Sequence, residues 1–244
     1  MARSGLRKHL RPIWAFNANN RERFVANFAT TVNTGARILD AGAGTAPYRK
    51  HFSHCEYHTH DFAREPSTQG RYAPLDYVSD IANIPVSDAS FDIVICTEVL
   101  EHVPRPVEAI QEFSRILRVG GILLISAPLG SLLHQEPFHF YGGYTPYWYE
   151  RFLPNAGFRI LRLERNMGFF SMFGQEAQRF CTLVDPRRLS VRWWWPLLAL
   201  LWIATFPLFF CVLPLLGRQL DRLNLESMAT VGYHLLAVKE AQVT

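Results

Sequence analysis

Cysteine and charged residues are both scarce in this sequence. Four of its 244 residues are cysteine, and no two stand at the C-x-x-C spacing, so neither a zinc knuckle nor a disulfide framework is expected. Charged residues make up 19% and the formal net charge is +4, which argues against a broad nucleic-acid surface. Apolar residues make up 49%, which excludes a disordered chain and predicts one large domain, or one domain with an appendage.

The basic N-terminal segment lacks the long apolar stretch of a secretory signal. We therefore predict, over residues 1–30, a basic arm and the start of a helix, in a protein that stays in a reducing compartment. The arm is either a solvated segment or a short helix on a membrane surface. The helix is indicated over Asn20–Val32, where Phe24, Val25 and Phe28 fall on one side.

Strand and helix patterns alternate through most of the chain. The run Phe91–Thr97 is almost continuously apolar, which is typical of a strand buried in a parallel sheet. Pro106–Arg118 instead places its apolar residues on one helical face and is followed by two glycines. This alternation predicts an α/β fold with a mainly parallel sheet. The other predicted strands are Ala36–Asp40, Glu56–Phe62, Asp76–Val78, Ile122–Ala127, Phe158–Arg165 and Gly232–Lys239, and Thr145–Asn155 is a further predicted helix.

A glycine-rich turn follows the first predicted strand, in the run Asp40-Ala41-Gly42-Ala43-Gly44-Thr45. Glycine permits a tight turn and lets a ligand approach the backbone closely. Pro47 stands where a dinucleotide-binding fingerprint has a small residue, which argues against NAD. No Gly-Lys-Ser/Thr follows the turn, so a P-loop is excluded as well.

Two acidic residues follow at the spacing of a nucleotide site. Asp61 ends the second predicted strand, roughly ~20 residues after the turn, where a carboxylate can accept hydrogen bonds from both hydroxyls of a ribose. Asp80 stands beside the third predicted strand and can accept from an adenine amino group. Ile81 next to it can pack on the base.

Together these motifs resemble a class I S-adenosylmethionine-dependent methyltransferase of the small-molecule type. The resemblance rests on ILDAGAGTAPYRKHF, HDF, SDIANIPVSDASFDIVICTEVLEHVPRP and ILRVGGILLISAPL, which occur in that order within about Arg37–Arg165, and on the final strand. It implies a Rossmann-like, seven-stranded, mainly parallel sheet with helices on both faces and an antiparallel last strand, with S-adenosyl-L-methionine as cofactor. By this resemblance the cofactor-binding residues are Asp40, Ala41, Gly42, Gly44, Thr45, Asp61, Asp80, Ile81, Thr97 and Glu98.

The acceptor side of the site offers histidines for proton transfer. An alcohol acceptor needs a general base, and we predict it among His102, His134 and His139. The run from His134 to His139, with Glu136 between them, could also bind a metal, but its spacing matches no helical ligand pair, so no metal is predicted. The many aromatic residues over Phe138–Phe152 either form a lid over an apolar acceptor or pack as an ordinary core and membrane-interface belt.

The segment Trp193–Gly217 carries no charged residue. It is long enough for a transmembrane helix, but it lies between two strands that should share one sheet, and basic residues flank both ends. Pro207, near its middle, is expected to break a helix. We therefore predict a re-entrant or interfacial helical hairpin that turns near Pro207, inserted before the last strand. The alternative is a hairpin buried in a homodimer interface.

These features predict a membrane-associated methyltransferase on the cytoplasmic face of a membrane, anchored as a monotopic or re-entrant protein. The expected acceptor is a lipid, a quinone-like molecule or a lipid-linked sugar; membrane lipids are expected partners, nucleic acid is not, and a homodimer is left open. The alternatives are a tethered methyltransferase for a soluble sugar or small molecule, and a non-catalytic cofactor-binding scaffold. The predicted domains are the arm and helix at 1–30, the core at 31–170, the membrane hairpin at 171–228 and the last strand of the core at 229–244.

Overall fold

The computed structural model describes residues 15–63, 72–188, 194–223 and 229–241. Most of the predicted basic arm, together with Arg192 and Trp193, therefore lies outside the described residues. The backbone forms two compact units: Arg21–Glu164 with Gly232–Thr244, called the sheet unit, and Met1–Asn20 with Arg165–Val231, called the helical unit. The domain boundaries predicted from the sequence stay a prediction.

The described residues form a seven-stranded sheet, as predicted. Its strands follow the order β3-β2-β1-β4-β5-β7-β6, in which β1 pairs in parallel with β2 and β4, and β5 pairs in parallel with β4. Strand β7 is antiparallel to β5, which confirms the expected direction of the last strand. The strands are β1 Arg37–Ala41, β2 Glu56–Asp61, β3 Tyr77–Val78, β4 Phe91–Thr97, β5 Leu117–Pro128, β6 Phe158–Arg165 and β7 Gly232–Lys239.

Helices cover the sheet through apolar faces. Helix α2 begins at Pro106, whose fixed backbone angle and missing N–H suit the first helical position, and it buries Ile110, Phe113 and Ile116 completely. The central strand β4 is buried over most of its length because helices lie on both sides of it. The helices are α1 Phe16–Ala29, α2 Pro106–Ile116, α3 Pro146–Asn155, α4 Phe169–Leu183, α5 Trp195–Pro207 and α6 Leu213–Leu220.

The start of β5 differs from the prediction. Helix α2 ends at Ile116 and the strand begins at Leu117, five residues earlier than expected. The two glycines that were read as a helix stop lie instead in an irregular stretch of β5, where Gly120 has a φ of +79° and the pairing with β4 shifts register. A Cβ on Gly121 would lie 2.8 Å from the carbonyl oxygen of Arg118, so glycine is required there for packing.

The sheet register brings three strand ends to one edge. Asp40 in β1 pairs with Thr59 in β2 and with Ile95 in β4, so the carboxyl ends of these parallel strands finish together. Ligands of open α/β sheets bind at this edge, at the point where the strand order reverses. In this sheet the reversal lies between β1 and β4.

The helical unit contains one long helix in place of a turn at Pro207. The segment Trp195–Leu223 is helical throughout, with 29 residues and a mean hydropathy of 2.3 over its most apolar window. We call it the long helix; it comprises α5, a π-helical segment at Leu208–Val212, α6 and a final 3₁₀ turn. The predicted reversal near Pro207 is therefore wrong. Proline removes one N–H from the helix, and the widened π turn that follows lets the backbone continue.

A helical hairpin is nevertheless present, formed by α4 and the long helix. The two helices run antiparallel, because Phe170 approaches Gly217 while Gln178 donates a 3.1 Å hydrogen bond to the carbonyl of Phe210. A Cβ on Gly174 would lie 2.7 Å from Cα of Pro214, so small residues permit the close approach. The antiparallel partner of the long helix is therefore α4, and the long helix itself continues past Pro207.

Candidate active site

A cavity of about 490 Å³ lies in the sheet unit at the carboxyl ends of β1, β2 and β4. Its wall combines the glycine turn, the acidic residue that ends β2, the acidic residue that follows β3, and an apolar side. This position agrees with the ligand site of open α/β sheets. The lining residues are Gly42, Gly44, His60, Asp61, Phe62, Tyr72, Val78, Ser79, Asp80, Ile81, Glu98, Val99, His102, Val103, Pro104, Gln135, Phe138 and Phe140.

The glycine turn after β1 has the conformation that its sequence requires. Gly42 and Gly44 have φ angles of +79° and +52°, in the left-handed region that favours glycine. A Cβ on Gly42 would lie 2.3 Å from a methyl carbon of Val99, so any larger residue collides with the loop after β4. No atom of the described residues, apart from the chain neighbours, lies within 4 Å of a Cβ built on Gly44. The backbone of Gly44 is therefore accessible from the cavity.

Asp61 is fixed at the cavity wall by backbone donors. Its Oδ2 accepts a 3.0 Å hydrogen bond from the N–H of Gly44, and its Oδ1 accepts one of 3.0 Å from the N–H of Ala63. The side chain is 6% exposed, so these bonds hold the carboxylate in one orientation. The remaining acceptor positions of both oxygens can receive donors from a ligand.

Asp80 and Ile81 form the next part of the wall. Ile81 is buried, whereas Asp80 is exposed and its Oδ1 accepts a 2.9 Å hydrogen bond from the N–H of Ala82. Its Oδ2 lies 3.5 Å from Arg105, a surface ion pair of little energetic weight. An apolar side chain and a carboxylate thus stand side by side at the cavity.

Glu98, directly after β4, is held by two partners. Its Oε2 lies 3.2 Å from Nη1 of Arg21, and its Oε1 accepts a 2.7 Å hydrogen bond from Ser126. Its φ of +54° is unusual for a residue with a side chain, and such strain concentrates at functional sites. The sequence pattern pointed to Glu98 but missed Arg21, because an arginine on the first helix carries no local signal of its partner.

Four of the predicted cofactor residues do not line the cavity: Asp40, Ala41, Thr45 and Thr97. Asp40 is 2% exposed and accepts a 2.5 Å hydrogen bond from the hydroxyl of Tyr57, behind the turn. Burial raises the pKa of Asp40 to about 7. Ala41 is buried, Thr45 is exposed, and Thr97 donates a 3.4 Å hydrogen bond to the hydroxyl of Tyr48. Asp40 therefore links β1 to β2 through Tyr57.

The three predicted histidines come together in space. The ring centroid of His134 lies 4.7 Å from those of both His102 and His139, and the other two rings are 5.7 Å apart. We call this group the histidine cluster; His102 is the member that lines the cavity. His139 lies 2.9 Å from the hydroxyl of Ser131, and burial followed by the charge of His134 lowers its pKa. A lowered pKa keeps an imidazole neutral and able to accept a proton at neutral pH.

Glu101 lies next to His102 and His134 of the histidine cluster. Its side chain is 1% exposed, and its Oε1 is 3.9 Å from Nε2 of His102. Its Oε2 is buried without a hydrogen-bond partner in the part of the chain that the structure describes. Burial, and then the charge of Glu98, raise the pKa of Glu101. Buried, incompletely satisfied carboxyl groups are uncommon in proteins and are concentrated at functional sites.

The aromatic run after β5 is mostly packing. Tyr144 and Tyr149 are buried in the core, and Tyr147 is exposed. Only Phe138 and Phe140 of the run reach the cavity, where Phe138 packs edge-on against Phe62 at a centroid distance of 5.1 Å. Together with Val103 and Pro104 they give the cavity an apolar side. The sequence missed Phe62 and Gln135 as cavity residues because nothing in a single chain distinguishes them from other loop residues.

Comparison with known proteins agrees with this geometry. Residues 39–125, which run from β1 to β5, match the family model described as "Methyltransferase domain". The chain carries a class I S-adenosylmethionine-dependent methyltransferase domain. A putative sarcosine dimethylglycine methyltransferase from Galdieria sulphuraria shares the fold, with a TM-score of 0.58 at 14% identity over 91% of this chain and 85% of that one.

Curated relatives of the methyltransferase domain match over part of their length. A probable S-adenosylmethionine-dependent methyltransferase of Mycolicibacterium smegmatis is 34% identical over 102 residues, 38% of each chain. A ubiquinone biosynthesis O-methyltransferase of Vibrio cholerae is 28% identical over 102 residues, 38% of this chain and 42% of the relative. The chain thus spans between about a fifth and two fifths of the length of the curated relatives it matches.

S-Adenosylmethionine is the cofactor of this methyltransferase family, and the cavity suits it. The orientation of Asp61 leaves acceptor positions for ligand hydroxyls. Because Gly42 and Gly44 have no Cβ, a ligand can approach the backbone of the turn closely. Asp80 beside Ile81 offers one polar and one apolar contact to a base. No buried lysine or arginine for a phosphate group lines the cavity among the described residues, in keeping with a cofactor that has none.

Proposed function

We propose that this chain transfers a methyl group from S-adenosylmethionine to a lipid, quinone-like or lipid-linked sugar acceptor at the cytoplasmic face of a membrane. The observation that carries the proposal is the cavity. One part of its wall, with Asp61, Asp80 and Ile81, suits a nucleoside, and the apolar part lies beside the histidine cluster. The apolar surface of the helical unit supports the membrane location.

The cofactor roles follow the wall of the cavity. Asp61 would accept from the ribose hydroxyls, Asp80 and Ile81 would hold the adenine, and the Gly42–Gly44 turn would take the methionine side. Glu98, which Arg21 and Ser126 hold in place, lines the same cavity and would face the sulfonium group. When bound, the cofactor would supply a methyl group carried by a sulfonium sulfur. This sulfur is a good leaving group when the methyl group is transferred.

The protein then has three tasks. It must align the acceptor with the methyl group, exclude water and receive the acceptor's proton where the acceptor is an alcohol. Phe62, Phe138 and Phe140 would align an apolar acceptor and exclude water. The histidine cluster would accept the proton of the acceptor. His102 lies at the cavity, and the lowered pKa of His139 keeps its imidazole neutral.

The membrane location is supported by the exposed side chains of the helical unit. Leu200 and Ile203 on the long helix are 67% and 63% exposed, and Phe173 on α4 is 51% exposed. By length and composition the long helix could cross a membrane. However, β6 and β7 precede and follow this unit and belong to one sheet, so a single crossing would separate them. An antiparallel pair that enters one side and returns is consistent with the sheet.

The acceptor class can be tested directly. The purified chain should be incubated with methyl-labelled S-adenosylmethionine and with membrane lipids separated by polarity. We expect label in an apolar lipid fraction, because the acceptor wall is aromatic and aliphatic. Label confined to water-soluble small molecules would favour the tethered enzyme. Cofactor binding without any labelled product would favour the non-catalytic scaffold.

The cofactor site can be tested with Asp61→Ala. The change leaves the ribose hydroxyls without their acceptor and costs ~1–3 kcal/mol, so calorimetry should show S-adenosylmethionine affinity weakened about 10-fold or more. Asp88→Ala is a matched control, since Asp88 is 79% exposed and pairs only on the surface with Arg115. Wild-type affinity in folded Asp61→Ala would exclude the ribose role.

A further inference from the structure

We propose that Glu101, His102 and His134 form a binding site for a divalent transition cation, with Zn²⁺ as the reference ion. One ligand atom of each residue lies within 4.8 Å of the ligand atoms of the other two. Ligands at about 2.1 Å from a tetrahedral zinc ion are roughly 3.4 Å apart, so rotations of the side chains close the difference. The site adjoins the cavity, because His102 lines both.

The two imidazoles are held in the tautomer that a cation requires. Nδ1 of His102 lies 2.5 Å from the carbonyl oxygen of Phe138, and Nδ1 of His134 lies 2.8 Å from that of Leu132. A carbonyl oxygen can only accept, so each Nδ1 carries the proton. Each Nε2 consequently presents a lone pair. Metal-binding histidines commonly donate their second N–H to a backbone carbonyl in this way.

Glu101 supplies the carboxyl group, and a bound cation would favour its ionised form. A carboxylate that is 1% exposed, with one oxygen unpartnered among the described residues, is costly unless a cation or donor compensates it. Arg21 forms its ion pair with Glu98 at 3.2 Å and acts on Glu101 through its charge, without a hydrogen bond to the orphaned oxygen. A cation between Glu101 and the two imidazoles would compensate this buried carboxylate, whose Oε1 lies 3.9 Å from Nε2 of His102.

Two imidazoles and one carboxylate are a donor set that zinc enzymes use, with further positions open to a substrate oxygen. This set differs from the one considered in the sequence, as it uses Glu101 in place of Glu136, and it replaces the expectation of no metal. The role of the ion rests on the proposed function: it would bind the acceptor's oxygen and favour its deprotonation. His139, which lies outside the set, would accept the proton.

The test uses the full chain without a polyhistidine tag, stripped with a chelator and titrated with ZnCl₂ in a calorimeter. We expect one equivalent to bind, and Co²⁺ to give the visible absorption of an ion with imidazole ligands. His134→Gln should weaken binding about 100-fold or more, given that even supporting partners of metal ligands account for about 10–100-fold. His134 is exposed, so this variant should keep its fold. His54→Gln is the matched control, since His54 contacts the carbonyl of Val32 instead.

Two results would overturn the site: the absence of stoichiometric Zn²⁺ binding by the wild-type chain, or wild-type affinity in His134→Gln. Glu101→Gln should also weaken binding, with circular dichroism as the check on its folding because the residue is buried. The readout needs no methyl transfer. An inactive chain that binds Zn²⁺ through these residues would overturn the proposed function and leave the metal site standing.

Discussion

Replacing His102 by glutamine is expected to lower the rate of methyl transfer to a hydroxyl acceptor about 100-fold or more. His102 is the one member of the histidine cluster that lines the cavity, and its Nε2 faces Glu101 while Nδ1 is bonded to Phe138. Glutamine keeps the size and polarity but cannot accept a proton at this position or bind a cation as imidazole does. Affinity for S-adenosylmethionine should change little, because Asp61 and Asp80, the proposed ribose and adenine contacts, lie on other loops.

The measurement is single-turnover transfer from labelled cofactor, with cofactor binding followed separately. His54→Gln serves as the control, since His54 lies away from the cavity and should leave transfer unchanged. If His102 acts through a bound cation, the variant should lose Zn²⁺ affinity together with activity. If it acts as the base alone, activity should fall while Zn²⁺ affinity stays, and that result would also contradict the proposed zinc site, of which His102 is a ligand. Full activity with a hydroxyl acceptor would remove His102 from the mechanism.

The sheet and the cavity wall could be predicted from the sequence because short-range patterns determine them. The apolar run of β4 indicates a strand that is covered on both faces of the sheet. The glycines after β1 indicate a tight turn whose backbone a ligand can approach. Parallel strands bring their carboxyl ends to one edge. Gly42, Asp61 and Asp80 therefore had to lie near one another, whatever the rest of the fold did.

The direction of individual side chains could not be predicted in the same way. Asp40 stands in the motif beside residues of the cavity, yet it turns away and bonds to Tyr57 of the neighbouring strand. Whether a residue at a strand end points to the ligand or to the sheet depends on its register with a strand 17 residues away. Contacts across such distances, including the ion pair of Arg21 with Glu98, leave no mark in a local pattern.

The course of the apolar segment shows a second limit of the sequence pattern. Pro207 indicated a break, because proline cannot donate the helical hydrogen bond. The structure bridges the gap with a π turn, and Gln178 of α4 donates to the carbonyl of Phe210 within that turn. Pro214, four residues after Phe210, has no N–H to donate to that carbonyl, so the partner helix supplies a donor there. The sequence alone could not reveal that partner, since it lies 32 residues away.

The double substitution Leu200→Asp/Ile203→Asp is expected to weaken binding to lipid vesicles about 30-fold or more. Both side chains are exposed on the long helix and lie three residues apart, on one face. Replacing leucine by aspartate at the centre of a membrane helix costs about 3 kcal/mol. A third of that cost at each position, as suits an interfacial site, sums to about 2 kcal/mol, which is about 30-fold in affinity.

The measurement is flotation of the full chain with phosphatidylcholine vesicles that contain a minority of phosphatidylglycerol. Val119→Asp/Leu161→Asp is the matched control, because it adds the same charge at exposed apolar positions of the sheet unit and should leave flotation unchanged. S-Adenosylmethionine affinity should be retained in both variants, since all four positions lie outside the cavity wall. Equal flotation of the two double variants would contradict membrane binding by the long helix. A wild-type chain that is a soluble dimer without detergent, and becomes monomeric on Leu200→Asp/Ile203→Asp, would instead assign this apolar face to an interface between two copies of the chain.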